Sequence, residues 1–326
     1  MDNYTNTHLI GEGSFSKVYQ THNKKTNKKC VLKVINVEEE LDFKNILTEI
    51  HILTKNKTKY LVSSNDVFFD KNKKSIVIEM QYFQDGDLSD KIRIHADNND
   101  HFSEPTVWKY LSQILYATKY LHDNGIIHRD IKTSNLLVTK LGNLKLSDFN
   151  TCKTIGNNLQ CSLRHTQIGT PYYMSPELIN HSKYNYKVDV WSIGCVLYEI
   201  ILLKQAFKCN HIGRLMINIR SGNFNPIKGS IVRKYSVDLL KLINLTLETD
   251  ENKRPTVYDL LLKLPRDFID KNESSVKEEK KDINLLQDVY IPKSLDDFNN
   301  ILNKFYNGDS CAKIDISKYL LVKKYT

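Results

Sequence analysis

Apolar and polar positions along the first eighty residues follow a two-residue period. HLIGEG and SKVYQ read as strands flanking a glycine-rich turn, and KKCVLKVINV and KKSIVIEM are rich in branched residues that favour extended backbone. Between them, FKNILTEIHILT carries apolar residues at helical spacing. After residue 100 the period lengthens. In SEPTVWKYLSQILYATKYLH, Ser103 is placed to cap, Pro105 stands in the first turn, and Trp108, Leu111, Ile114, Leu115, Thr118 and Leu121 line one helical face. WSIGCVLYEIILL, residues 191–203, is interrupted by Glu199, reads as a buried helix and is too short to span a bilayer. The class is α+β: a small sheet-rich unit over about residues 4–82, then a larger, mainly helical one over about 83–268, with a cleft between them as the default ligand site. LKLSDFNTC, residues 144–152, alternates for four positions and then reaches Asp148, an acid at a strand end and hence a candidate metal ligand.

Residues 269–282, including KNESSVKEEKK, have little to bury and read as a charged linker. Residues 283–326 regain apolar content and a helical repeat too brief for a coiled coil, so docking on the main domain is expected, with the oligomeric state left open. At 326 residues and 40 % hydrophobic content, the chain has enough material for a sizeable core. Its formal charge of +9 comes chiefly from lysines spread along the sequence, the pattern of a solvated surface; neither nucleic acid nor a membrane is an expected partner. MDNYTNTHLI lacks the order of a secretory signal, so a cytoplasmic location is expected, with nuclear or cytoskeletal residence equally allowed. The six cysteines form no CxxC pair or metal-spaced cluster and read as reduced thiols.

Three features carry chemistry. Gly11 and Gly13 of GEGSFSKV lie where missing side chains would let backbone approach a polyphosphate. Lys33 falls on an otherwise apolar strand, where an ammonium needs a carboxylate or phosphate; Glu49, on the following helix, is its natural partner. The most specific feature is IIHRDIKTSN, residues 126–135, with Asp148 and Phe149 beginning thirteen residues after Asn135, and Ser175, Pro176 and Glu177 beyond.

In this order of motifs, from about residue 4 to 268, the chain resembles the eukaryotic protein kinases. That resemblance implies a bilobal protein-kinase fold, with one main helix in the β-rich N-lobe and a mainly helical C-lobe. It further implies a phosphotransferase using ATP and Mg2+, with Mn2+ as an alternative ion. By the same resemblance Asp130 is the catalytic acceptor of the substrate hydroxyl proton and Lys132 steadies the transferring group. Lys33, held by Glu49, grips phosphates, while Asn135 and Asp148 are the metal ligands. Ile10, Val18, Val31, Met80 and Leu137 form the adenine slot, joined by Gly11 and Gly13 of the glycine loop, with Gln81, Tyr82 and Phe83 as hinge and Met80 as gatekeeper. Asp189 anchors the catalytic loop, and Glu177 pairs with Arg254.

Lys132 and Thr170 match the Ser/Thr kinases, and the runs GTPYYMSPE, KVDVWSIGCVLYE (residues 187–199) and SGNFNPI together resemble the NIMA-related kinases. Protein substrates follow from this, with an apolar residue three before the acceptor, as does an upstream kinase acting on Thr166, whose phosphate would bond Arg129. Asn150 stands where the family has Gly. Asn is the least hindered substitute for positive φ, with a penalty expected below ~1–2 kcal/mol. An active kinase with altered switching is therefore expected; the alternative is a pseudokinase acting as scaffold or allosteric activator.

Overall fold

The computed structural model describes residues 3–13, 16–36, 43–70, 73–154 and 171–274. Contacts divide them into two units at Tyr82 and Phe83.

The first unit is a five-stranded antiparallel sheet with one helix. Strands β1 (Tyr4–Glu12), β2 (Ser16–Asn23) and β3 (Lys28–Asn36) are followed by α1 (Phe43–Lys55), then β4 (Ser64–Asp70) and β5 (Ser75–Gln81), in the order β1-β2-β3-β5-β4. The period of two divides β3 between the two faces of the sheet. Leu32 packs with Phe68 and Val77 on one face, joined by Tyr4, Tyr19 and Val34. Val31, Lys33 and Ile35 take the other. β4 went unnoticed in the sequence because its apolar content is only VFF, flanked by Asn and Asp.

The second unit comprises α2 (Leu88–Asp97), α3 (Glu104–Asp123), the short strands β6 (Ile126–Ile127), β7 (Leu136–Val138), β8 (Leu144–Leu146) and β9 (Lys153–Thr154), then α4 (Pro176–Ile179), α5 (Lys187–Leu202), α6 (Ile212–Arg220), α7 (Ile231–Lys234), α8 (Val237–Thr246), α9 (Val257–Leu261) and α10 (Lys271–Ser274). Helix α3 starts where its sequence dictates: Ser103 accepts from the Thr106 N–H, with Pro105 in the first turn. It stops at Gly125, whose φ of 71° an L-side chain would resist and whose N–H satisfies the His122 carbonyl. Helix α5 is buried nearly all round and packs on α3 and α8. Close approach to α8 requires Gly194, since a Cβ there would lie 2.8 Å from Thr246 Cβ.

The segment expected as a linker, residues 269–282, opens with a helical turn, Lys271–Ser274. Asp270 holds it, donating its N–H to the Tyr116 hydroxyl and accepting from the Asn272 N–H. The rest of the linker and the 283–326 segment lie outside the described residues. Cys30, Cys152, Cys195 and Cys209 are free thiols. Among the described residues no helix is long and apolar enough to cross a membrane.

Candidate active site

The loop leaving β6 turns sharply at Arg129, whose φ is 67°. Asp189 of α5 holds this turn: it accepts the backbone N–H of His128 at 3.0 Å and of Arg129 at 2.8 Å, and meets His122 Nε2 at 2.9 Å. Burial alone would raise the pKa of Asp189. The His122 hydrogen bond and charge, with the His128 contacts, outweigh that and hold it below the ordinary carboxylate value. His128 Nδ1 accepts the Asp130 N–H, which assigns the ring proton to Nε2 for donation to the Ser147 carbonyl.

Past this turn the loop gathers three polar side chains. Asp130 Oδ2 receives Lys132 Nζ at 2.7 Å and Asn135 Nδ2 at 3.0 Å. Asn135 Nδ2 also reaches the Asp130 carbonyl at 2.8 Å, so both amide hydrogens are committed and Oδ1 is presented as an acceptor. Ser147 ties the end of β8 to this cluster, donating through its N–H and hydroxyl to the Asn135 carbonyl. The side chains of Asp130 and Lys132 keep 29 % and 34 % of their surface in solvent, so the cluster is reachable. Asp148 follows with φ 62°, and Phe149, fully buried, packs edge-on against His128 at 5.6 Å.

In the sheet unit, Lys33 Nζ lies 2.5 Å from Glu49 Oε1, both side chains almost fully buried. Register places Val18 opposite Lys33 and Val31 opposite Met80, so these four share one face of the sheet. Ile10 stands at the irregularity between Leu9 and Gly11, half exposed. Gly13 closes the turn, donating to the Ser16 carbonyl at 2.8 Å. Neither Gly11 nor Gly13 has positive φ, and a Cβ on Gly11 would come no nearer than 3.6 Å to Val18. The bare sheet would therefore accept side chains at both. Gln81 closes β5, Phe83 opens the second unit, and Leu137 lies half-buried on β7, bridging to Asp87.

A family profile described as "Protein kinase domain" matches residues 4–264, most of the chain. The chain belongs to the protein kinase domain family. Curated relatives are Nek Ser/Thr kinases. The probable serine/threonine-protein kinase nek2 of Dictyostelium discoideum is 36 % identical over 80 % of this chain and 62 % of its own length. Mouse Nek1 is 35 % identical over 81 % of this chain and 21 % of its own, and nekl-2 of Caenorhabditis elegans is 35 % identical over 80 % and 73 %. The chain thus spans less than two thirds of the first two.

Within this kinase domain, Glu177 and Arg254 form a bidentate pair at 2.6 and 3.1 Å. Arg254 also donates to the carbonyls of Glu248 and Lys187 and lies over the Trp191 ring. The Arg129 side chain, expected to meet a phosphate, donates to the Thr151 carbonyl at 2.6 Å and the Tyr184 hydroxyl at 3.2 Å. Thr166 and Thr170 lie outside the described residues. The backbone strain expected at Asn150 occurs two residues earlier. Asn150 is exposed and lacks positive φ; Asp148 bears it instead, because the reversal after β8 must seat Phe149 against His128.

One group was missed. Tyr173 donates to Glu199 and shares a 3.0 Å hydrogen bond with Thr133, while its carbonyl receives the Ser192 hydroxyl. Burial raises the pKa of Tyr173, reinforced by Glu199, and burial likewise raises that of Glu199. The signal was Glu199 itself, since an acid inside a buried helix implies a donor aimed at it.

Proposed function

We propose that this chain is an ATP- and magnesium-dependent Ser/Thr protein kinase that phosphorylates protein hydroxyls. The observation that supports it most is the Asp130 carboxylate, oriented by Lys132 and Asn135 through Oδ2 and open to solvent at one side. Such a group takes a proton from an incoming hydroxyl, and Lys132 beside it offsets negative charge at the acceptor. Asn135 Oδ1 and the Asp148 carboxylate are hard oxygen donors, a set that suits magnesium, which uses few protein ligands. Bound together, ATP and the ion supply the transferable phosphoryl group and neutralise its charge. Lys33, braced by Glu49, presents an ammonium to phosphate oxygens; Val18, Val31 and Met80, on the same sheet face, offer a purine an apolar surface.

In this reading residues 4–268 are the catalytic part, 269–282 a linker and 283–326 a docked appendage, with Thr166 the site at which an upstream kinase switches activity. The test uses purified protein, magnesium, labelled ATP and a generic substrate such as casein, with Asp148→Ala as control. Incorporation by the unaltered chain and none by the variant is expected. Equal incorporation by both would overturn the proposal; intact-mass analysis of the same sample reports autophosphorylation, and a phosphopeptide map shows whether Thr166 carries it.

A further inference from the structure

The lysines are spread along the chain, but the net positive charge is not. Residues 200–237 contain seven Lys or Arg and no Asp or Glu. All seven are exposed, and none is in an ion pair among the described residues. Three of the chain's eight arginines fall here.

Helix α6 lies inside this stretch. Leu215 and Ile219, four residues apart and fully buried, fix its inner face. The carboxylate of α4, which packs against it, is Glu177, already taken by Arg254. On the outer side Arg214, Ile217 and Arg220 recur every third residue, a spacing that sets side chains about 5–6 Å apart along one ridge. Ile217, midway between the two arginines in the helix sequence, is 62 % exposed. An exposed branched aliphatic flanked by two arginines, in a stretch of sequence without acids, gains from an anionic partner that also covers it.

We propose that this ridge docks an acidic polypeptide segment, one carrying carboxylates on either side of an aliphatic side chain. Nucleic acid fits less well, because single strands stack on aromatic rings and α6 exposes none. A membrane surface fits less well too: interfacial helices bury a whole apolar face, whereas in α6 Leu215 and Ile219 are committed to the core and only Ile212 and Ile217 stay exposed. A second copy of a chain carrying +9 would be repelled. Docking here is separate from phosphoryl transfer and is measured without nucleotide, so its failure would leave the catalytic reading intact.

The test is fluorescence anisotropy of a short labelled peptide of glutamates with leucine at every third position, titrated with the full chain near physiological salt. Arg214→Glu with Arg220→Glu is expected to weaken binding about tenfold or more. Ile217→Ser should weaken it roughly threefold to tenfold, as loss of one buried aliphatic contact implies. Lys25→Glu with Lys28→Glu, exposed in the β2–β3 turn and at the start of β3, should stay within about twofold. Because these side chains are on the surface, unchanged melting is expected, and Arg214→Gln with Arg220→Gln is a milder second pair. The proposal is overturned if the native chain does not bind the peptide, if Ile217→Ser has no effect, or if the turn variant loses as much as the ridge variant. It is equally overturned if phosphatidylserine vesicles or duplex DNA bind more tightly through the same residues, or if the ridge variant abolishes self-association instead.

Discussion

Arg254 and Lys132 each hold a carboxylate, at 2.6 and 2.7 Å, yet their settings are opposite. Arg254 is sealed in: its fork spans both oxygens of Glu177, two backbone carbonyls take further donors, and Trp191 covers its plane. Lys132 and Asp130 remain about a third in solvent and saturate only one side of the carboxylate. Where the protein satisfies every polar atom, the pair is architecture; where it leaves capacity facing water, the pair is available for chemistry.

That distinction can be broken in order of effect. Asp130→Asn should lower phosphoryl transfer by about 10²–10⁴-fold with melting unchanged, measured by initial rates beside a thermal scan. Arg254→Ala should do the reverse, costing about 3–5 kcal/mol in urea unfolding because Glu177 is left buried and unpaired; a smaller loss would show that the pair is not structural. Asp189→Asn tests the buried anchor, with an expected cost of about 1.5–3 kcal/mol at neutral pH. Since folding depresses this carboxyl's pKa, its stabilisation is complete above the unfolded value of 3.8 and is lost as pH falls through the lower folded value. The gap between Asp189→Asn and the unaltered protein should therefore narrow on acidification. Asn150→Gly should be mildest: about 0.4–1 kcal/mol of lost stability from a more flexible unfolded chain, with activity within about twofold. A collapse in activity would give the Asn side chain a duty of its own.

Much of the fold was legible where period and caps agree. Ser103, Pro105 and the stripe through α3 predicted its start and buried face, and the strand period predicted β3 and β5. β4 was not legible, because pairing with β5, and not its own composition, makes it a strand. For the site, the HRD stretch foretold which side chains would gather but not their bonds. The backbone twist lies at Asp148 and not Asn150 because the packing of Phe149 decides it, and packing is a property of distant partners. The link of Tyr173 to Glu199 joins positions 26 residues apart, and no local pattern relates them. The charge count suggested dispersion because lysines occur throughout; only the missing acids between residues 200 and 237 reveal the concentration.

The described thiols differ sharply in accessibility. Cys30, Cys152 and Cys195 are buried; burial pushes the Cys30 thiol up to about 11 and raises that of Cys195 as well, so both stay protonated and sluggish toward maleimides. Cys209, partly exposed, stands three residues before α6 begins. With Cys161 and Cys311 replaced by serine, a fluorophore attached at Cys209 becomes a reporter beside the Arg214–Arg220 ridge, able to register an arriving partner by a change in its emission.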